Sequence, residues 1–311
     1  DIMGIMVDVN HYEERGLDYL EIVVEAYPYP INVRGRYYYR SGSTKQEYKG
    51  AALNKFLLER QGKRWDGVPV PNVSVGELKN NTLSVFRDKA EKSKRLEPED
   101  LQGTNEELIE SLHLNDEGLL KRAAILLFHP NPEKYVTGAF IKIGFFESDD
   151  ELKYQDELHG NLLEQADEAL SLLKTKYDVA AISYEDGSRI EKFTFPREAI
   201  REALMNAIAH KDYSSGIPIQ ISVYSDRIIF WNEGQLPENW TVDKLASKHP
   251  SKPFNPDVAN TLFRAGYIES WGRGTIKIIE KCIEVGLPSP LYHYDGSDFS
   301  IEFRKDIYHK E

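Results

Sequence analysis

Apolar and polar positions alternate from Leu17 to Glu25 (LDYLEIVVE): Leu20, Ile22 and Val24 share one parity, Tyr19, Glu21, Val23 and Glu25 the other. That period of two predicts a half-buried β-strand. Pro28 and Pro30 break it. Arg36 to Arg40 (RYYYR) reads as a second strand after a turn at Gly35, and Tyr48 to Arg60 as a helix. Residues 62–71, with two Gly and two Pro, read as a linker, and Val73 to Leu114 is helical and highly charged. Ala123 to Phe128 (AAILLF) is a buried strand or a short core helix, and Gly138 to Phe146 a strand. Leu158 to Tyr177 has Leu162, Leu163, Ala166, Ala169, Leu170 and Leu173 spaced for one helical face. Phe193 to Tyr213 is another helix. Ile217 to Tyr224 and Arg227 to Asn232 form a hairpin over Ser225-Asp226. Thr241 to Ser270 is a long polar stretch with Pro250, Pro253 and Pro256. Gly274 to Val285 is a helix closed by Gly286 and Pro288, and Phe299 to Phe303 a last strand. The expected fold class is α+β, with helices on one face of a mixed, mostly antiparallel sheet.

One helix has the residue types for chemistry. It enters at Pro196, where a missing N–H costs nothing, and reads PREAIREALMNAIAHKDY. Ile200, Ala203, Leu204, Ala207 and Ile208 make its apolar face. Glu202, Asn206 and His210 recur every four residues and stack along one stripe beside that face. A carboxylate there can orient or deprotonate a water. An amide oxygen suits Mg²⁺, which takes oxygen ligands and keeps several waters. Taken alone, the stripe reads first as a solvated face of an amphipathic helix, since polar stripes are routine. Two later features change the weighting. Asn232-x-Gly234 follows a strand, and glycine lets backbone approach a ligand closely. Gly272-Arg273-Gly274-Thr275 opens a helix, where free N–H groups and the helix dipole favour an anion. Each glycine pair alone is an ordinary turn signal; the order of the three is what carries weight.

In that order the chain resembles the GHKL ATPases, because Glu202-x-x-x-Asn206-Ala207, continuing into His210-Lys211-Asp212-Tyr213, looks like their N box. It is more similar to a bacterial and archaeal subgroup labelled RecG-like or transcriptional regulators. That subgroup's pattern runs through NAIAHKDY, WNEGQLP, the FNP segment, FRAGYIESWGRGTIKIIEKC and GLPSP, all present between about Arg197 and Leu291. Upstream, Tyr37 to Gln46 (YYYRSGSTKQ) resembles the end of a Schlafen-type AlbA-like domain, whose opening strands and helix would lie before Asp1. The resemblance implies three parts: residues 1–60 as the tail of that domain, 61–115 as a helical linker, and 116–311 as a GHKL-type (Bergerat) two-layer α/β sandwich. It further implies ATP and Mg²⁺ as cofactors. Glu202 would be the general base and Asn206 the metal ligand, with His210 beside it on the same stripe. Asn232 and Gly234 would lie near the adenine, Gly272, Arg273, Gly274 and Thr275 around the phosphates, and Thr241 to Ser270 would be a lid. Most GHKL proteins carry Asp where Asn232 stands. The basic residue common just before Asn255-Pro256 is here Phe254, with Lys252 two places earlier. These departures keep open a non-catalytic scaffold that binds nucleic acid.

Charge and composition narrow the partners. The net charge is −12 over 311 residues, so the surface as a whole is not built to coat nucleic acid, although a local basic patch remains compatible. Arg34, Arg36, Arg40 and Lys45, interleaved with Tyr37 to Tyr39, can grip the phosphates and stack the bases of DNA or RNA. An ordinary hairpin with solvated arginines explains them as well. One cysteine, Cys282, rules out an internal disulfide and fits a reducing, cytoplasmic setting; its neighbours Ile276, Ile279 and Ile283 place it in a core. The histidines show no zinc spacing. There is no long apolar run for a membrane span. A phosphate loop of the G-x-x-x-x-G-K-[ST] kind is missing, since Gly62-Lys63 runs on into Arg64, and this excludes a helicase motor of that type. A second copy of the chain remains a candidate partner.

Overall fold

The computed structural model describes residues 8–14, 16–23, 30–178, 181–185, 188–237, 240–269 and 273–305. The chain divides into two compact units, residues 1–65 and 66–311.

In the first unit, β1 (Asp8–Glu14) and β2 (Leu17–Val23) form one antiparallel hairpin, and β3 (Tyr38–Ser41) and β4 (Thr44–Glu47) another, followed by α1 (Gly50–Arg60). The strand expected from Leu17 is present, but it has no buried face: all seven residues of β2 are exposed, Leu20 at 69%. Alternation fixes which residues share a side of a strand, not whether anything packs on that side. Here the aromatic packing lies in the second hairpin. Tyr48 stacks on Phe56 of α1 and meets Tyr39, with ring centroids 4.5 Å apart in both pairs.

The second unit opens with α2 (Asn80–Ser93), α3 (Pro98–Gln102) and α4 (Asn105–Ser111). Leu83, Phe86, Leu108 and Ile109 are buried along them. Thr104 caps α4 by accepting from the Glu107 N–H, and the Glu107 carboxylate accepts from the Thr104 N–H in return. A two-residue ladder, β5 (Asn115–Asp116) with β6 (Leu119–Leu120), leads into α5 (Arg122–Phe128). The AAILLF run is thus helical, with all six residues buried.

The main sheet is built from β7 (Ile141–Ser148), β8 (Glu151–Leu158), β11 (Ile219–Val223), β12 (Arg227–Glu233), β13 (Leu291–Tyr294) and β14 (Asp298–Arg304). Between β8 and β11 the chain forms α6 (Leu162–Leu172), the small hairpin of β9 (Ala181–Glu185) and β10 (Ser188–Lys192), and α7 (Arg197–His210). The spatial order is β13-β14-β12-β11-β7-β8. Every pairing is antiparallel except β7 with β11, where Ile141 lies opposite Ile219. The sheet is therefore mixed and mostly antiparallel, in an α+β unit. The loops entering the two parallel strands touch. Gly138 has φ +72°, and a Cβ there would sit 2.2 Å from the Gly216 carbonyl oxygen, so only glycine fits.

The stretch 241–269, most of the polar span Thr241 to Ser270 given no element from its sequence, holds two helices, α8 (Val242–Leu245) and α9 (Pro256–Arg264). Val258, Ala259, Thr261 and Leu262 of α9 are buried, and α9 packs against α5 and α7. The last helix, α10 (Gly274–Glu284), packs along α7 with Ile278 and Cys282 buried.

Candidate functional site

Helix α7 places the site. Its apolar residues Ala199, Ile200, Ala203, Leu204, Ala207 and Ile208 are buried, which fixes the roll of the helix. Glu202, Asn206 and His210 then fall along one wall of a cleft with about 1130 Å³ of empty space, part of it open to solvent. The interior is largely apolar, with Ala203, Ala207, Phe230, Ile278 and Ile301 among its lining. Asn232 and Gly234, from the end of β12, and Gly274 and Thr275, from the start of α10, line the same cleft. Seven of the residues singled out in sequence are thereby brought together. Arg273 is exposed at the N-cap of α10 and does not line the cleft, and Gly272 lies outside the described residues.

The contacts are close. A Cβ on Gly274 would stand 2.1 Å from Glu202 Oε1 and 3.4 Å from Asn206 Nδ2, so the start of α10 meets α7 through bare backbone. A Cβ on Gly234 would stand 2.7 Å from the His210 carbonyl oxygen, so the end of β12 meets the end of α7 in the same way. The Gly234 N–H donates to the Ser297 carbonyl at 2.7 Å, fixing the turn. Asn232 is buried and lines the cleft, and its Nδ2 donates to the Glu233 carbonyl at 3.1 Å.

Burial pushes the Glu202 carboxyl above the usual carboxylate range, against the pull of the Lys277 and Arg201 charges; the Glu269 charge adds to the rise. Burial, with His249 nearby as the lesser cause, pushes the His210 imidazole down to about 4, so it is neutral at pH 7. Among the described residues no three His, Cys, Asp or Glu side chains are grouped to hold a metal. A Mg²⁺ at Asn206 would thus draw its other ligands from water and phosphate, the usual manner of that ion.

Some residues that position the site were given no role by the sequence. Asn255 is buried at the head of α9 and donates Nδ2 to the carbonyls of Ala209 (3.1 Å) and Lys211 (2.7 Å), tying α9 to the end of α7. Asp66 is buried, and its Oδ2 accepts from the N–H groups of Asp257 (2.8 Å) and Val258 (3.0 Å), so it caps α9 from a remote segment. Burial pushes its carboxyl up to about 7. Lys211 is fully buried, donates Nζ to the Asp212 carbonyl at 3.1 Å, and is pushed down to about 8 by burial.

In the first unit, Arg40 lies opposite Lys45 across the β3–β4 ladder, so the two share one face with Tyr38, whose ring lies 3.8 Å from Lys45 Nζ. Arg34 sits in a turn with φ 56°, and Arg36 lies 3.9 Å from the Glu47 carboxylate.

Comparison with known proteins agrees with this architecture. Residues 216–303 match the family model described as "Putative ATP-dependent DNA helicase recG C-terminal", a GHKL-like ATPase domain. The matched span contains Asn232, Gly234, Gly274 and Thr275. It begins after α7, so Glu202, Asn206 and His210 stand outside it. Among solved structures, the fold is similar to that of the DIP2311 protein from Corynebacterium diphtheriae, with a TM-score of 0.63 and 22% identity, covering 97% of this chain and 60% of that one. At that identity the likeness concerns the fold. No curated protein matches the chain.

Proposed function

We propose that the cleft between α7, α10 and the end of β12 binds ATP with Mg²⁺, and that it does so within a regulator acting on nucleic acid. The single observation that carries the reading is the convergence of Glu202, Asn206, Asn232, Gly234, Gly274 and Thr275 on one apolar cleft. The residues fit the group. The apolar interior suits a purine ring. The Asn232 amide oxygen would accept from an exocyclic amino group such as adenine's. Gly274 lets the start of α10 come close to Glu202 and Asn206, and the N–H groups of that first turn are donors for phosphate. Asn206 would hold the ion through its amide oxygen, and bound Mg²⁺ would neutralise phosphate charge. In hydrolysis Glu202 would take the proton of the water whose oxygen bonds to the γ-phosphorus as the bond to ADP breaks, and its raised pKa brings it nearer the operating pH of a base.

Titration calorimetry with Mg-ATP tests the reading. Saturable binding is expected, and no heat of binding at millimolar nucleotide would sink it. Asn206→Ala is expected to lose the metal-dependent part of the affinity.

For nucleic acid, the face carrying Arg40, Lys45 and Tyr38 supports contact with phosphates and bases.

A further inference from the structure

The cleft is covered on one side by residues 240–253, and one side chain of this lid reaches into its phosphate end. His249 Nε2 lies 3.1 Å from the Thr275 hydroxyl in the first turn of α10. Its other ring nitrogen, Nδ1, lies 3.1 Å from the Pro250 carbonyl. A carbonyl only accepts, so Nδ1 donates to Pro250, and Nε2 pairs with the Thr275 hydroxyl, which can donate or accept. The ring is held edge-on to Trp240, with centroids 4.9 Å apart. Lys244 and Lys252 lie over the same indole at 5.1 and 5.9 Å. Leu245 is buried and α8 packs against β13, so one end of the lid is anchored, while Lys248, Pro250 and Ser251 are exposed.

We propose that His249 is a latch: it docks the lid on Thr275 and competes with incoming nucleotide for the anion-binding end of α10. The proposal rests on the nucleotide reading of the cleft. The His249 ring occupies the Thr275 hydroxyl, where a phosphate oxygen would arrive, and the two cannot share that place. Entry of the phosphates therefore requires the His249–Thr275 bond to break and the lid to lift. Trp240 moves with it, because His249 packs on its ring.

Two measurements on the full chain test this. The first needs no nucleotide. Hydrogen–deuterium exchange over residues 240–253 is expected to speed up in His249→Ala and equally in Thr275→Val, while α7 keeps its protection. Unchanged exchange in both variants would overturn the latch. The second is the affinity of His249→Ala for Mg-ATP. It is expected to be tighter than wild type by about fivefold, the scale of one neutral hydrogen bond. Equal or weaker affinity would overturn the competition, weaker affinity marking His249 as a phosphate ligand instead. If neither protein bound nucleotide, the nucleotide reading and the competition would fall with it, and the exchange measurement would still judge the lid contact.

Discussion

Two buried carboxyls differ in what ionisation does to them. Glu202 faces the cleft, and as a base it works only when deprotonated. Any hydrolysis is therefore expected to rise with pH through a value above the usual carboxylate range. Glu202→Gln is expected to bind Mg-ATP like wild type and to lose turnover by about 10²–10⁴-fold; steady-state phosphate release checks both the loss and the pH profile. Asp66 faces the head of α9 and is pushed up to about 7. The folded chain thus retains a proton that the unfolded chain gives up near the ordinary aspartate value. Its contribution is full below that value and is lost as pH rises to about 7. Asp66→Asn keeps an acceptor for the helix N–H groups but cannot ionise. Urea unfolding is expected to show wild type losing stability relative to this variant between about pH 4 and 7, by at most about 1.4 kcal/mol per pH unit. A constant difference across that window would refute it. Asp66 could not be singled out from sequence, and Asn255 stood in the FNP segment with no role assigned to it. Their roles come from burial against a segment far away along the chain, and nothing in their neighbours encodes that. Glu202, Asn206 and His210 were legible because a period of four on one helix is a local property.

The elements meet at the site through glycines. In isolation, alanine at position 274 would favour the helix, yet its Cβ would push into the Glu202 carboxylate. Gly274→Ala is expected to leave thermal unfolding nearly unchanged and to weaken nucleotide binding roughly tenfold or more, a loss of about 1.4 kcal/mol; calorimetry against differential scanning separates the two. Gly138→Ala should do the reverse. Both a left-handed backbone and contact with the Gly216 backbone oppose the new methyl, and denaturant unfolding should show a loss of about 1–3 kcal/mol or more. Elements with strong periodicity were readable in the sequence, among them α7, α10 and the β11–β12 hairpin over Ser225-Asp226. β8 was not, because seven of its eight residues are exposed or half-buried and ELKYQDEL has no apolar stripe. α9 was hidden by its prolines, although Pro256 sits at its first turn, where proline is at home. The spacing of Val258, Ala259 and Leu262 carried a signal that the polar surroundings masked.

At the scale of the whole chain, every described residue lining the cleft belongs to the unit 66–311. A fragment of those residues is expected to fold and to bind Mg-ATP as the full chain does, and calorimetry on the fragment checks it. The basic face of β3–β4 belongs to the other unit. Replacing Arg40 and Lys45 by alanine should weaken nucleic-acid binding across sequences. The slope of its salt dependence should fall by about one for each phosphate no longer gripped, with nucleotide affinity unchanged. Composition spoke only to broad class here. A net charge of −12 is a sum over both units and hides any local basic face. No helix of the described residues is long and apolar enough to cross a membrane.

The parallel pairing of β7 with β11 sets an order of events in folding. β7 with β8 and β11 with β12 are each local hairpins that close small loops. The seam between them joins Ile141 to Ile219, and α6 and α7 lie in the chain between. Such a long loop is entropically expensive to close before its pairing rewards it. The two hairpins are therefore expected to form first and the seam late, which quenched-flow hydrogen exchange on β7 and β11 would check. Until then the inner edges of β7 and β11 are unpaired, and a chaperone or a neighbouring chain can reach them while the cleft has yet to exist.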